Sequence, residues 1–249
     1  MFSIEFLWVW EQVMCFGLRI IHSKIFFGFI ITSLFVSFVN GQNLDPDRFE
    51  ETIRAFERED ALNTPPENAI VLTGSSSIAR WNGQAENALA PLTVIPRGFG
   101  GSVMGDVLHY LDRVALVYKP RAILIYEGDN DTAYNVSEDL IVEQFEQIVA
   151  KVAQELPGTR IYVLAVKPSV SRLNVWDAAQ SVSARFSAIA KLNPMVNYID
   201  SASPFLDLNG NVMGDIFVED NLHLNQMGNE IWGAVIKAGL MPTEIRFEC

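Results

Sequence analysis

Three histidines occur in the 249 residues, His22, His109 and His223, and His223 has a carboxylate at a useful spacing. Asp220 stands three residues before it in a polar loop, close enough to fix the imidazole tautomer and stabilise its cation. The same segment, followed by Asn225, also reads as a helix N-cap. A histidine held this way can act as a base near neutral pH, and it then needs a proton to take. Gly74-Ser75-Ser76-Ser77 offers hydroxyls in what reads as a strand-to-helix turn, where a serine is exposed to such a base. Ile78 breaks the Gly-x-Ser-x-Gly pattern of a nucleophile elbow, and a Ser-rich turn would equally cap a helix or cradle a phosphate. Two further groups could face a developing oxyanion: the backbone N–H of Gly101 and the side-chain amide of Asn130. Asp129-Asn130-Asp131 is also good turn chemistry, and the glycines around Gly101 suit a tight loop. His109, beside Leu108 and Leu111 in an amphipathic stretch, reads as an ordinary helix residue.

These groups are far apart in sequence, so a scaffold must bring them together. Short apolar, β-branched runs at Ala69–Thr73, Leu92–Ile95, Ala122–Tyr126, Arg160–Val166 and Val196–Ile199 are each closed by Gly, Pro or Asp and predict strands. Helical spacing lies between them, as in Val107, Leu108, Leu111, Val114, Ala115 and Tyr118, or Leu140, Val142, Phe145, Ile148, Val149 and Val152. A helix is predicted over Asp47–Leu62, ahead of Pro65-Pro66, and another from Asn225 to Gly239. Strands that alternate with helices and are apolar on both faces imply an open parallel sheet between helix layers. Ligand sites in such sheets lie at the carboxyl ends of the strands, where the serine turn, the glycine loop and Asn130 all fall.

The first 41 residues read differently. Arg19, His22 and Lys24 precede the apolar run Ile25–Val39, and Val39-Asn40-Gly41 offers small residues for a signal peptidase. Residues 1–41 are therefore expected to be a secretory signal, with a retained membrane anchor as the alternative, although the run is short for a span of ~20 residues. That expectation makes 42–249 one secreted or periplasmic domain with no stable membrane association after cleavage. It would keep 16 basic and 28 acidic residues, a net charge of −12 that repels phosphates and argues against a nucleic-acid partner. Cys15 would leave with the signal, so Cys249 alone supports neither an internal disulfide nor a cysteine metal site. Trp176 and Phe217 are candidates for a pocket wall, although ordinary packing explains both.

Taken in order, these blocks resemble the SGNH hydrolases, also called the GDSL-like lipase/acylhydrolase family, from about Ile70 to Trp232. Gly74-Ser75-Ser76-Ser77 matches the first block with Ser75 in the Asp place, and Trp81 fits its Gly-Ser-Ser-Ser-Ile…Trp form. Arg97–Ser102 resembles the glycine block, Gly128-Asp129-Asn130-Asp131 the Gly-x-Asn-Asp block, and Asp220-Asn221-Leu222-His223 the Asp-x-x-His block. Pro96 departs from the Asn that many members carry before the glycine loop. The resemblance implies a three-layer α/β/α flavodoxin-like sandwich with a five-stranded parallel sheet. It also implies hydrolysis of a small-molecule carboxylic ester with no metal or other cofactor. It assigns Ser76, Asp220 and His223 as catalytic, and Ser76, Gly101 and Asn130 to the oxyanion hole; anchoring the match on Ile78 instead would move the nucleophile to Ser77. Short acyl or acetyl esters of a sugar or lipid are the expected substrates. Two rival readings keep the fold: an FMN carrier with Gly74–Ser77 as its phosphate loop, and a non-catalytic binding relative.

Overall fold

The computed structural model describes residues 45–248; the expected signal segment 1–41 and Cys249 lie outside the described residues. A 3-10 turn over Pro46–Phe49 leads into α1 (Glu50–Leu62), β1 (Ile70–Gly74), α2 (Ser76–Trp81), α3 (Ala85–Leu89), β2 (Val94–Gly98) and α4 (Met104–Val114). There follow β3 (Ala122–Tyr126), α5 (Asp129–Ala133), α6 (Glu138–Glu155), β4 (Arg160–Leu164), α7 (Trp176–Leu192), β5 (Val196–Ile199) and α8 (Gln226–Glu244). The strands form one five-stranded sheet in the order β2-β1-β3-β4-β5, every neighbouring pair parallel.

Side-chain alternation along each strand builds a separate core on either face of the sheet. Val71, Ile123, Ile125, Ile161 and Val163 meet α1, α4, α6 and α7 through Ile53, Val107, Phe145 and Phe186. Ile70, Leu72, Leu124, Tyr126 and Leu164 face the other way, onto α2, α3 and α8 through Ile78, Trp81, Leu89, Trp232 and Ile236. The result is the expected α/β/α sandwich.

The boundaries shift where local rules conflict. The second strand, expected to close before Pro96, runs on to Gly98 because it is an edge strand, where a residue without an N–H is tolerated. The fourth stops at Leu164, short of Val166. The first helix begins at Glu50 rather than Asp47, because Pro46 starts a 3-10 turn capped by the Asp45 carboxylate.

The chain crosses from β1 toward α2 through Gly74, at φ +128°. A Cβ there would lie 2.2 Å from the carbonyl oxygen of Tyr126 on the neighbouring strand, so Gly74 is what lets the serine turn form against β3. Gly74→Ala is expected to destabilise the protein by at least about 2 kcal/mol in urea denaturation, since backbone, not a flexible side chain, must yield.

Candidate active site

Ser76 is the first residue of α2, where its own backbone N–H has no partner within the helix. Its hydroxyl lies 2.8 Å from His223 Nε2, and His223 Nδ1 lies 2.6 Å from Asp220 Oδ2. An ionised carboxylate only accepts, so the proton sits on Nδ1 and leaves Nε2 free to accept from the Ser76 O–H. With both ring nitrogens engaged, the serine that His223 reaches is Ser76, not Ser77, whose side chain is buried in α2.

The loop carrying this pair is shaped by its own carboxylate. Asp220 Oδ1 accepts from the backbone N–H of Leu222 at 2.9 Å and of His223 at 2.8 Å, closing an Asx-type turn in which Asn221 takes φ +55°. Burial alone would raise the Asp220 carboxyl, but the hydrogen bonds from the His223 backbone and ring, and from Leu222, hold it well below the usual range. It therefore stays charged throughout the working pH range. Asp220 is 41% exposed and His223 14%, so the pair lies at an open surface with the imidazole turned inward; Arg80 Nη2 approaches the carboxylate from outside at 3.8 Å.

Gly101 follows β2 at φ +91°, with no atom within 4 Å of where a Cβ would stand, and its neighbour Gly100 lies against the Ser76 backbone. Asn130 arrives from β3. Asp129-Asn130-Asp131 reads as a turn in the sequence, whereas Asn130 is the second residue of the short helix α5. The Asp131 carboxylate accepts from the Gly128 N–H at 2.8 Å, which turns the expected loop into a helical turn. Asn130 Nδ2 donates to the Ser102 carbonyl at 2.8 Å and Oδ1 accepts from Arg172 Nη2 at 2.8 Å, leaving one amide N–H uncommitted.

The model of the family described as GDSL-like Lipase/Acylhydrolase matches residues 66–231. The chain belongs to this family. The GDSL-like lipase/acylhydrolase assignment makes it an ester-hydrolysing enzyme, and the match spans every strand and each of the blocks described above. Solved structures share the fold at low identity. A GDSL-like lipase from Bacteroides thetaiotaomicron superposes with a TM-score of 0.66 at 21% identity, covering 76% of this chain and 97% of that one. A protein of Streptococcus pneumonia, provisionally named a platelet activating factor, gives 0.68 at 21%, covering 77% and 92%. An acetylxylan esterase from Geobacillus stearothermophilus gives 0.58 at 12%, covering 71% and 95%. No curated protein sequence matches this chain.

Around this GDSL-like site stand residues that sequence reading did not select. Arg172, in the 3-10 segment Val170–Val175 before α7, donates to Asp129 Oδ1 at 2.5 Å as well as to Asn130. Lys167, with no exposed side-chain surface, donates to the Leu222 carbonyl at 2.8 Å and lies 3.4 Å from Asp129 Oδ2. Glu127 is buried beneath the glycine loop and accepts from the Ser102 hydroxyl; burial, with the nearby Asp131 charge, pushes its carboxyl far up. Only their place just past the ends of β3 and β4 hinted at a role. His109 is a half-exposed residue of α4, and Phe217 is buried in the core, as ordinary packing requires. Among the described residues no cluster of His, Cys, Asp or Glu could hold a metal, and no helix is long and apolar enough to cross a membrane.

Proposed function

We propose that this family member is a serine esterase in which Ser76 is the nucleophile, His223 the general base and acid, and Asp220 its orienting carboxylate. The single observation that carries the reading is the unbroken relay from the Ser76 hydroxyl through both ring nitrogens of His223 to Asp220. Ser76 Oγ attacks the ester carbonyl as its proton passes to Nε2. The backbone N–H groups of Ser76 and Gly101 and the uncommitted amide N–H of Asn130 face the oxyanion that develops. Collapse expels the alcohol, which takes the proton from Nε2, and water repeats the sequence to free the acid.

The proposed substrates are small-molecule carboxylic esters, with a short acyl or acetyl group on a sugar or lipid alcohol. The place of the Asp220–His223 pair at the protein surface, with Asp220 41% exposed, supports a substrate that reaches the site from solvent. An FMN carrier would have no use for a hydroxyl committed to an imidazole. In keeping with the N-terminal pattern, residues 1–41 are proposed to direct the 42–249 domain to a secreted or periplasmic location.

The test is hydrolysis of short p-nitrophenyl esters as a function of pH. Because Asp220 is held ionised well into acid, its own protonation should add nothing to the loss of activity on the acid side. A plot of log kcat/KM should fall with unit slope on the acid side, and a slope of two would place a second essential group in the relay.

A further inference from the structure

A carboxamide serves an oxyanion only if its NH2 edge, not its oxygen, faces the reacting atom, and rotation about the terminal bond exchanges the two. In Asn130 both edges are dictated by groups with no choice of role. The Ser102 carbonyl can only accept, which draws Nδ2 toward it, and a guanidinium can only donate, which draws Oδ1 toward Arg172. Either group alone would bias the amide; the two together leave one orientation that satisfies both.

We propose that Arg172 is a positioning residue for the oxyanion hole, its guanidinium fork spanning Asp129 and Asn130 so that the Asn130 amide presents an N–H to the reacting carbonyl. One prong is anchored on Asp129 Oδ1 at 2.5 Å and the other on Asn130 Oδ1 at 2.8 Å. The anchor is itself rigid: Asp129 is buried at the start of α5, and its second oxygen accepts from Tyr126 at 3.1 Å and faces Lys167 at 3.4 Å. Burial would raise the Asp129 carboxyl, yet the Lys167 and Arg172 charges bring it below its ordinary value, so the anchor remains an anion. The backbone of the segment also serves this placement. Arg172 departs from helical geometry (φ −125°, ψ 23°) between neighbours in 3-10 turns, and the Ser171 N–H is tied to the Asn221 carbonyl at 3.1 Å. The same short segment therefore touches the loop of the Asp220–His223 pair and orients the oxyanion donor. Lysine could match the charge at this position but not a planar fork shared between two adjacent residues.

This inference rests on the oxyanion role proposed for Asn130, and the test separates the two. Arg172→Ala leaves Asp129 paired with Lys167, a balanced charge pair, so the fold is expected to survive. For p-nitrophenyl acetate, Asn130→Ala should lower kcat by about 10²–10³-fold. Arg172→Ala should lower kcat by about 10- to 100-fold with KM within about twofold, the signature of a misplaced transition-state donor. Combined with Asn130→Ala, the Arg172 change should cost nothing more, because the group it positions is already absent. Methylguanidinium should restore activity to Arg172→Ala but not to the double variant, and Arg172→Lys should fall between wild type and Arg172→Ala. Full kcat in Asn130→Ala would overturn the oxyanion role and this inference with it. A normal loss in Asn130→Ala, with the Arg172 loss undiminished in the double variant or a rise in KM alone, would overturn the positioning role only.

Discussion

Ser76→Ala is expected to lower kcat for a short p-nitrophenyl ester by about 10⁴–10⁶-fold, the largest effect of any substitution in the chain. The size follows from the role proposed for the hydroxyl: without a nucleophile no acyl-enzyme can form, and only the proposed oxyanion donors and substrate binding would remain to favour attack by water. KM should change little. His223→Ala should be nearly as damaging, since Ser76 would then keep its proton, and Ser76→Ala with His223→Ala should be no worse than either alone. Non-additivity of that kind is the mark of groups acting as one unit, and the 2.8 Å contact between them is its physical basis. Ser77→Ala is the internal control: its side chain is buried in α2 away from the imidazole, and activity should stay within a few-fold of wild type. Steady-state kinetics on the four variants checks the set. A substantial rate in Ser76→Ala coupled with a collapse in Ser77→Ala would reassign the nucleophile.

The second large effect concerns stability, at the opposite end of the sheet. Glu244, in the last turn of α8, is fully buried and receives Arg121 Nε at 3.0 Å, Arg160 Nε at 2.6 Å and Nη2 at 2.9 Å, and the Tyr162 hydroxyl at 2.7 Å. Arg121 immediately precedes β3 and Arg160 opens β4, so one carboxylate ties α8 to two central strands at their amino ends. Removing a single partner from a buried ionic cluster is costly because the charges left behind are unpaired. Glu244→Ala should therefore lose about 3–5 kcal/mol in urea denaturation at neutral pH. The lower end of that range is expected, since Arg121 retains Glu248 and the Asn68 carbonyl, and Arg160 can reach water.

The pH dependence has a definite sign. Burial would raise the Glu244 carboxyl, but its bonds to Arg160, Tyr162 and Arg121 bring it below the ordinary value. A depressed carboxylate contributes stability above its unfolded pKa, about 4.3, and loses it as pH falls through the folded one. The gap between wild type and Glu244→Ala should therefore narrow in acid. Turnover measured at a temperature where the variant remains folded should be unaffected by the substitution, because the site lies at the carboxyl ends of the strands.

Most of what positions the site could be read from the sequence because it rests on local rules. Runs such as Ala69–Thr73 and Ala122–Tyr126 are apolar on both faces and bounded by glycine or charge, and both form central strands. Asp220 and His223 were legible because their spacing is short and the choice of histidines was small. Ser76 and Ser77 were not separable by spacing, since both begin the same helix and only the fold decides which hydroxyl turns toward the imidazole. Residues acting through long-range contacts left no pattern at all. Arg172 meets Asn130 across 42 residues and Lys167 meets the Leu222 carbonyl across 55, and neither carries a periodicity or motif of its own. Pro96 misled for a related reason: a strand that ends at proline in the middle of a sheet can continue through it at the edge.

The central claim is that the Ser76 hydroxyl, activated by His223, attacks an acyl carbonyl. It is tested most directly by reacting the protein with a fluorophosphonate and mapping the adduct by peptide mass spectrometry. The expected result is one stoichiometric adduct on Ser76, lost in Ser76→Ala and strongly slowed in His223→Ala. An adduct on another residue, or full esterase activity in protein whose Ser76 is shown to be blocked, would contradict it.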